Sequence, residues 1–196
     1  MTIAYYVGGT GTGKTTLMCE HGVGRAAERA VPVMLLDSEG VVGRDKVDAV
    51  TAPDVESALS LLYVEGRHVR FVPKDQEEVG ALARGIRAGG DCVFLVDEVS
   101  YWARGGVIVE DLARLYRVHR HSRVDIYSTS QYPADIAPLI WNVKTEVYIF
   151  RNESMAAVER LSKECWLSKE QAASVPTLPD MKYIPWRSRG NSPLAP

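Results

Sequence analysis

The chain has 196 residues, enough for one α/β domain with a substantial core, and no apolar run reaches the length of a membrane-spanning segment. Its 46% hydrophobic and 24% charged content is that of an ordinary globular domain. A net charge of −2 excludes a uniformly basic nucleic-acid-coating protein, yet leaves room for basic residues gathered on one surface.

Ile3-Ala4-Tyr5-Tyr6-Val7 predicts a buried first strand, and its start so close to the first residue leaves no space for a secretory signal. Gly8, Gly9, Thr10, Gly11, Thr12, Gly13, Lys14 and Thr15 then fit the pattern G-x-x-x-x-G-K-[ST]. The chemistry dictates its fixed positions. Glycines let the loop wrap a polyphosphate with backbone N–H groups pointing inward. Lys14 reaches the β- and γ-phosphates, and the Thr15 hydroxyl ligates Mg²⁺. Thr16-Leu17-Met18-Cys19-Glu20 opens a helix whose N-terminus favours anions. Gly8 to Thr16 are therefore the candidate nucleotide-binding residues, with ATP and Mg²⁺ as the implied ligands.

Pro32–Leu36 is a second apolar run, ending at Asp37 in the turn-rich stretch Asp37-Ser38-Glu39-Gly40, and Val69–Val72 is a weaker strand candidate. Asp75-Gln76-Glu77-Glu78 resembles a capping box. Val79, Leu82, Ala83 and Ile86 form a helical stripe that Gly89-Gly90 terminates. Cys92–Val96 is the most continuous apolar run, as a central parallel strand requires. It ends in Asp97-Glu98, at the carboxyl edge where a parallel sheet meets its ligand. Asp97 is placed to support the metal and Glu98 to polarise water, the division of labour of a hydrolase.

A helix follows over roughly Ile108 to His119, with Leu112, Leu115 and Tyr116 inward. The strand Val124–Ser130 ends at Gln131, whose amide can hold the γ-phosphate or the lytic water if that strand neighbours the one ending at Asp97. Arg120 and Arg123 lie before the strand. Either a solvated basic helix end or an arginine reaching a neighbouring subunit's γ-phosphate accounts for them, with Arg120 ahead of Arg123 in the second reading. Glu146–Phe150 is a further strand, and the tail from Pro185 reads as irregular. Residues 1–184 thus form one α/β domain, a doubly wound, mainly parallel sheet with helices on both faces, and 185–196 a tail. Cys19, Cys92 and Cys165 have no C-x-x-C spacing, and with His21, His68, His119 and His121 they suggest no zinc site; buried free thiols point to a reducing compartment.

The run Arg120-His121-Ser122-Arg123-Val124-Asp125-Ile126-Tyr127-Ser128-Thr129-Ser130-Gln131-Tyr132-Pro133-Ala134-Asp135-Ile136 resembles the HerA/FtsK superfamily of ATPases. Members carry an arginine before a strand ending in glutamine, often followed by x-Pro-x-Asp-[Ile/Val]. Ile149-Phe150-Arg151 is similar to the next strand's end, and Leu167–Ala172 with Leu178–Tyr183 to the closing helix and strand. Compact single-domain members are the genome-packaging ATPases of double-jelly-roll, internally membraned icosahedral viruses. The resemblance implies a RecA-like P-loop NTPase acting in the host cytoplasm as a ring, commonly a homohexamer. Its partners would be double-stranded DNA and capsid or portal-vertex proteins, and it would have no membrane segment. It implies Lys14 and Thr15 on phosphate and Mg²⁺, Asp97 on the metal, Glu98 on water, Gln131 on the γ-phosphate and Arg120 as a finger in trans. Ser100–Gly106 is a candidate DNA-touching loop, with a buried Trp102 as the alternative, and Arg187 and Arg189 are candidate helpers. A zonular-occludens-toxin-like phage-assembly ATPase and a small-molecule P-loop kinase are the competing readings. A GTPase is disfavoured because Asn142-Val143-Lys144-Thr145 lacks the guanine-reading aspartate.

Overall fold

The computed structural model describes residues 1–188. An eight-stranded sheet runs in the order β3-β4-β2-β5-β6-β1-β7-β8. Its strands are β1 (Ile3–Val7), β2 (Val33–Asp37), β3 (Val50–Ala52), β4 (Val69–Phe71), β5 (Val93–Asp97), β6 (Asp125–Ser130), β7 (Glu146–Ile149) and β8 (Ile184–Arg187). All neighbours are parallel except β7 and β8. Seven α-helices lie among the described residues: α1 (Lys14–Arg29), α2 (Val55–Tyr63), α3 (Gln76–Gly89), α4 (Glu110–Val118), α5 (Pro138–Val143), α6 (Met155–Cys165) and α7 (Lys169–Ser174). Among the described residues no helix is long and apolar enough to cross a membrane.

The pleat divides the strand residues into two apolar layers. Ile3, Tyr5, Val7, Met34, Leu36, Phe94 and Val96 face one side, where α2 to α6 cover them. Ala4, Tyr6, Val33, Leu35, Val93 and Leu95 face the other, where α1 and the loop carrying Val42, Val47 and Ala49 lie. Central strands buried on both faces need continuous apolar runs, which is what β1, β2 and β5 carry. Helices thus occupy both faces, unequally: a single helix, the one opened by the glycine loop, covers the second.

Asp75 caps α3 by accepting from the Glu78 N–H at 2.9 Å, while the Glu78 carboxylate accepts from the Lys74 N–H at 2.8 Å, one residue short of a closed capping box. The tail expected to be irregular from Pro185 is instead strand as far as Arg187, pairing antiparallel with β7 so that Tyr148 faces Pro185. Pro185 is tolerated because β8 is an edge strand, where a missing N–H need not meet a partner. Leu178–Tyr183, expected as the closing strand, is a loop leading into it. Strand β3 and helices α2, α5 and α6 have no counterpart in the sequence reading.

Candidate active site

The loop after β1 is held between its two neighbouring strands. Gly8 N–H donates to the Ser130 carbonyl at 3.2 Å, and Gly9 N–H to the Arg151 carbonyl at 2.7 Å. Gly13 is the N-cap of α1 with φ 97, a left-handed conformation that a side chain disfavours, and an added Cβ there would collide with the Met181 thioether. Lys14 is buried, and its Nζ donates to the Gly9 carbonyl at 2.6 Å. Burial pulls the Lys14 pKa below the usual lysine value, while Glu98 and Asp97 act in the opposite sense.

Asp97 and Glu98, at the end of β5, are only 5% and 4% exposed. One Asp97 oxygen accepts from Thr15 Oγ1 and from Thr129 Oγ1, both at 2.9 Å. Glu98 adopts a left-handed backbone (φ 51, ψ 66), uncommon for a residue with a side chain and found disproportionately at functional sites. Its carboxylate accepts from Ser100 Oγ, from Ser130 Oγ at 3.2 Å and from the Gln131 N–H at 2.9 Å. Glu98 N–H in turn donates to Thr129 Oγ1 at 2.7 Å. Desolvation raises both carboxyl pKa values above the ordinary range, and the hydrogen bonds and Lys14 only partly counter it.

Strand β6 lies between β1 and β5, so the residue after it stands between the glycine loop and the acids. Gln131 does so: its Oε1 accepts from Thr10 Oγ1 at 2.7 Å while its backbone meets Glu98. A cleft of about 440 Å³, within the size range of small-molecule sites, opens along Gly9, Thr10, Thr12, Gln131 and Arg151–Ser154. The C-terminal segment closes over the loop, with Met181 N–H on the Thr12 carbonyl at 3.2 Å and Asp180 paired with Arg151 at 2.9 Å. The structure therefore gathers Gly8–Thr16, Asp97, Glu98 and Gln131 at one sheet edge. It also brings in Thr129, Ser130, Ser100 and Arg151, which sequence reasoning missed; serine and threonine at strand ends carry no signal until the fold sets them against a carboxylate.

Arg120 and Arg123 lie at the opposite edge, before β6. At 3.3 Å per residue they are more than about 20 Å along the strand from Gln131. Arg123 pairs with Asp91, whereas Arg120 is exposed and forms no ion pair among the described residues. In the segment Ser100–Gly106, Ser100 is buried against Glu98 and Trp102 donates its indole N–H to Ser38 Oγ at 2.8 Å. Tyr101 and Arg104 face outward, Arg104 paired with Asp135 at 2.9 Å. Arg187 is paired with Glu146 at 3.2 Å, and Arg189 lies outside the described residues.

A glycine-rich phosphate loop opening the first helix, on a parallel sheet whose acidic strand end lies one strand away, defines a RecA-like P-loop NTPase fold. The chain is similar to the genome-packaging NTPase B204 of Sulfolobus turreted icosahedral virus 2 in complex with sulfate: TM-score 0.79 and 17% identity, over 97% of this chain and 93% of that one. It is also similar to B204, the DNA-packaging ATPase of Sulfolobus turreted icosahedral virus, at TM-score 0.69 and 16% identity over 95% and 92%. A more distant likeness, TM-score 0.54 and 12% identity, covers 81% of this chain and 31% of Thermomonospora curvata EccC (ATPases 2 and 3). At such identities the likeness establishes the fold. No protein-family model and no curated protein matches the chain.

Proposed function

We propose that this protein is an Mg²⁺-dependent ATPase that translocates double-stranded DNA, packaging a viral genome into a preformed capsid. One observation carries the hydrolytic part: a buried glutamate, Glu98, whose own left-handed backbone accompanies a carboxylate bonded to the strand end that also meets the phosphate loop. The packaging part is supported by similarity over nearly the whole chain to B204, which has been crystallised with AMPPCP and ATP-γS.

In this reading the loop N–H groups and Lys14 hold the β- and γ-phosphates. The donor set at Thr15 and Asp97 suits Mg²⁺, since a hydroxyl and a carboxylate already 2.9 Å apart are hard oxygen ligands, and Thr129 fixes the carboxylate's orientation. The ion, when bound, neutralises charge on the phosphates. Glu98 takes a proton from water as the water oxygen bonds to the γ-phosphorus and the bond to the bridging oxygen breaks, leaving ADP and phosphate. Among the described residues its Oε2 receives only the Gln131 N–H and so keeps lone pairs for that water. Burial raises its basicity toward neutral pH, where a general base works best. Gln131, linked to both Thr10 and Glu98, senses the γ-phosphate, which favours hydrolysis over transfer to a small acceptor. Arg120 acts in trans: it stands too far from its own chain's loop, so a ring, taken as six copies, places it at the next. The ring docks on capsid or portal-vertex proteins in the host cytoplasm.

Glu98→Gln tests the site. It should bind ATP with affinity within about threefold of the parent while hydrolysis falls by about 10²–10³-fold. Unchanged turnover removes Glu98 from the mechanism.

A further inference from the structure

One cation beside the phosphate loop has no role in the scheme above. Lys46 lies in the loop leaving β2, whose Val42, Val47 and Ala49 are built into the apolar layer under α1, so its backbone is anchored rather than adrift. Its Nζ donates to Thr16 Oγ1 at 2.7 Å. Thr16 is the third residue of α1, which sets the ammonium against the positive pole of the helix, next to a second lysine at the helix start. Lys46 forms no ion pair among the described residues. Holding a flexible cation there is unfavourable on two counts, like-charge repulsion from the helix pole and lost side-chain freedom, against a single neutral acceptor. An anion seated between Lys46 and the helix reverses the first term.

Resting on the nucleotide reading, we propose that Lys46 is a second phosphate-binding lysine that holds the α-phosphate. Successive helical residues point about 100° apart, so Thr16 faces away from the Thr15–Asp97 side where the terminal phosphates meet metal and acid. The polyphosphate runs from that side back across the helix start, and its α end meets Thr16 and Lys46. Lys14 discriminates among nucleotides by phosphate number; Lys46 grips the phosphate that all of them share.

Calorimetric titration of the full chain with AMP, ADP and AMPPCP separates the two lysines. Lys46→Gln keeps a donor for Thr16 but loses the charge, and it should weaken all three ligands by one common factor, about tenfold or more. Lys46→Arg should stay within about threefold of the parent. A loss confined to AMPPCP, or no loss at all, overturns the proposal. Should Lys46→Gln fail to fold, amine-selective labelling of the unaltered chain decides: AMP should slow acylation of Lys46 several-fold, and an unchanged rate with AMP bound overturns the assignment. A parent chain that binds none of the three nucleotides contradicts the nucleotide reading and this inference together. Binding by the parent with Lys46→Gln indistinguishable contradicts this inference alone.

Discussion

His119, at the C-terminal end of α4, is a buried imidazole with one satisfied nitrogen: Nδ1 meets the Tyr116 carbonyl at 2.9 Å, and Nε2 has no partner among the described residues. Desolvation lowers its pKa below the usual 6.5, and the neighbouring Arg120 charge lowers it further. The sign follows from linkage. A depressed pKa means that the folded state prefers the neutral ring, so this contribution is whole above the unfolded value near 6.5 and is lost as pH falls through the lower folded value. His119→Gln should therefore lose less Tm than the parent between pH 7.5 and 5.5, by at least about 2 °C in scanning calorimetry. Parallel Tm-against-pH curves contradict this. The phosphate loop and the Asp97-Glu98 pair were legible in the sequence because their chemistry fixes residue types at fixed spacing. Ser100, Thr129, Ser130 and Lys46 were not, since each acquires meaning only from the side chain it faces. Trp102 shows the converse: an aromatic near arginine leaves a nucleic-acid contact and a buried Trp both open until its indole N–H is found on Ser38.

The element that matters most is α1, the one helix on its face of the sheet among the described residues, which carries Lys14, Thr15 and Thr16 at its head. Its far end is pinned by Arg29 and Arg25 on the fully buried Asp125 carboxylate, at 2.8 and 3.2 Å. Midway, Gly22 brings the helix close to β5. A Cβ there would press into the isobutyl group of Leu95, which is itself completely buried and has nowhere to turn. In an exposed helix, glycine to alanine gains about 1 kcal/mol. Gly22→Ala should instead cost about 1–2 kcal/mol in chemical denaturation, because overpacking outweighs propensity. A stabilised Gly22→Ala variant contradicts the close helix–sheet contact. The strands β1, β2 and β5 were legible as apolar runs of the length a buried parallel strand requires. The three-residue β3 is too short to show a period, and β8 contains a proline that its edge position alone permits.

For the molecule as a whole, the two sheet edges divide the proposed labour. The carboxyl edge gathers loop, acids and Gln131, and the opposite edge carries Arg120, which forms no ion pair among the described residues. In the proposed ring, unlike edges of neighbouring copies would meet, and the assembly would be part of the site rather than a container for it. With a net charge of −2, the proposed DNA grip requires a local surface rather than the whole exterior. The doubly wound architecture was legible from the alternation of strand and helix patterns. The uneven cover of its faces was not, because it depends on which way each connection crosses the sheet. Steady-state ATP hydrolysis with and without duplex DNA, in the presence of Mg²⁺, tests the account most directly. It predicts turnover that rises at least about fivefold with duplex DNA. Turnover indifferent to duplex DNA, or no hydrolysis in either condition, contradicts it.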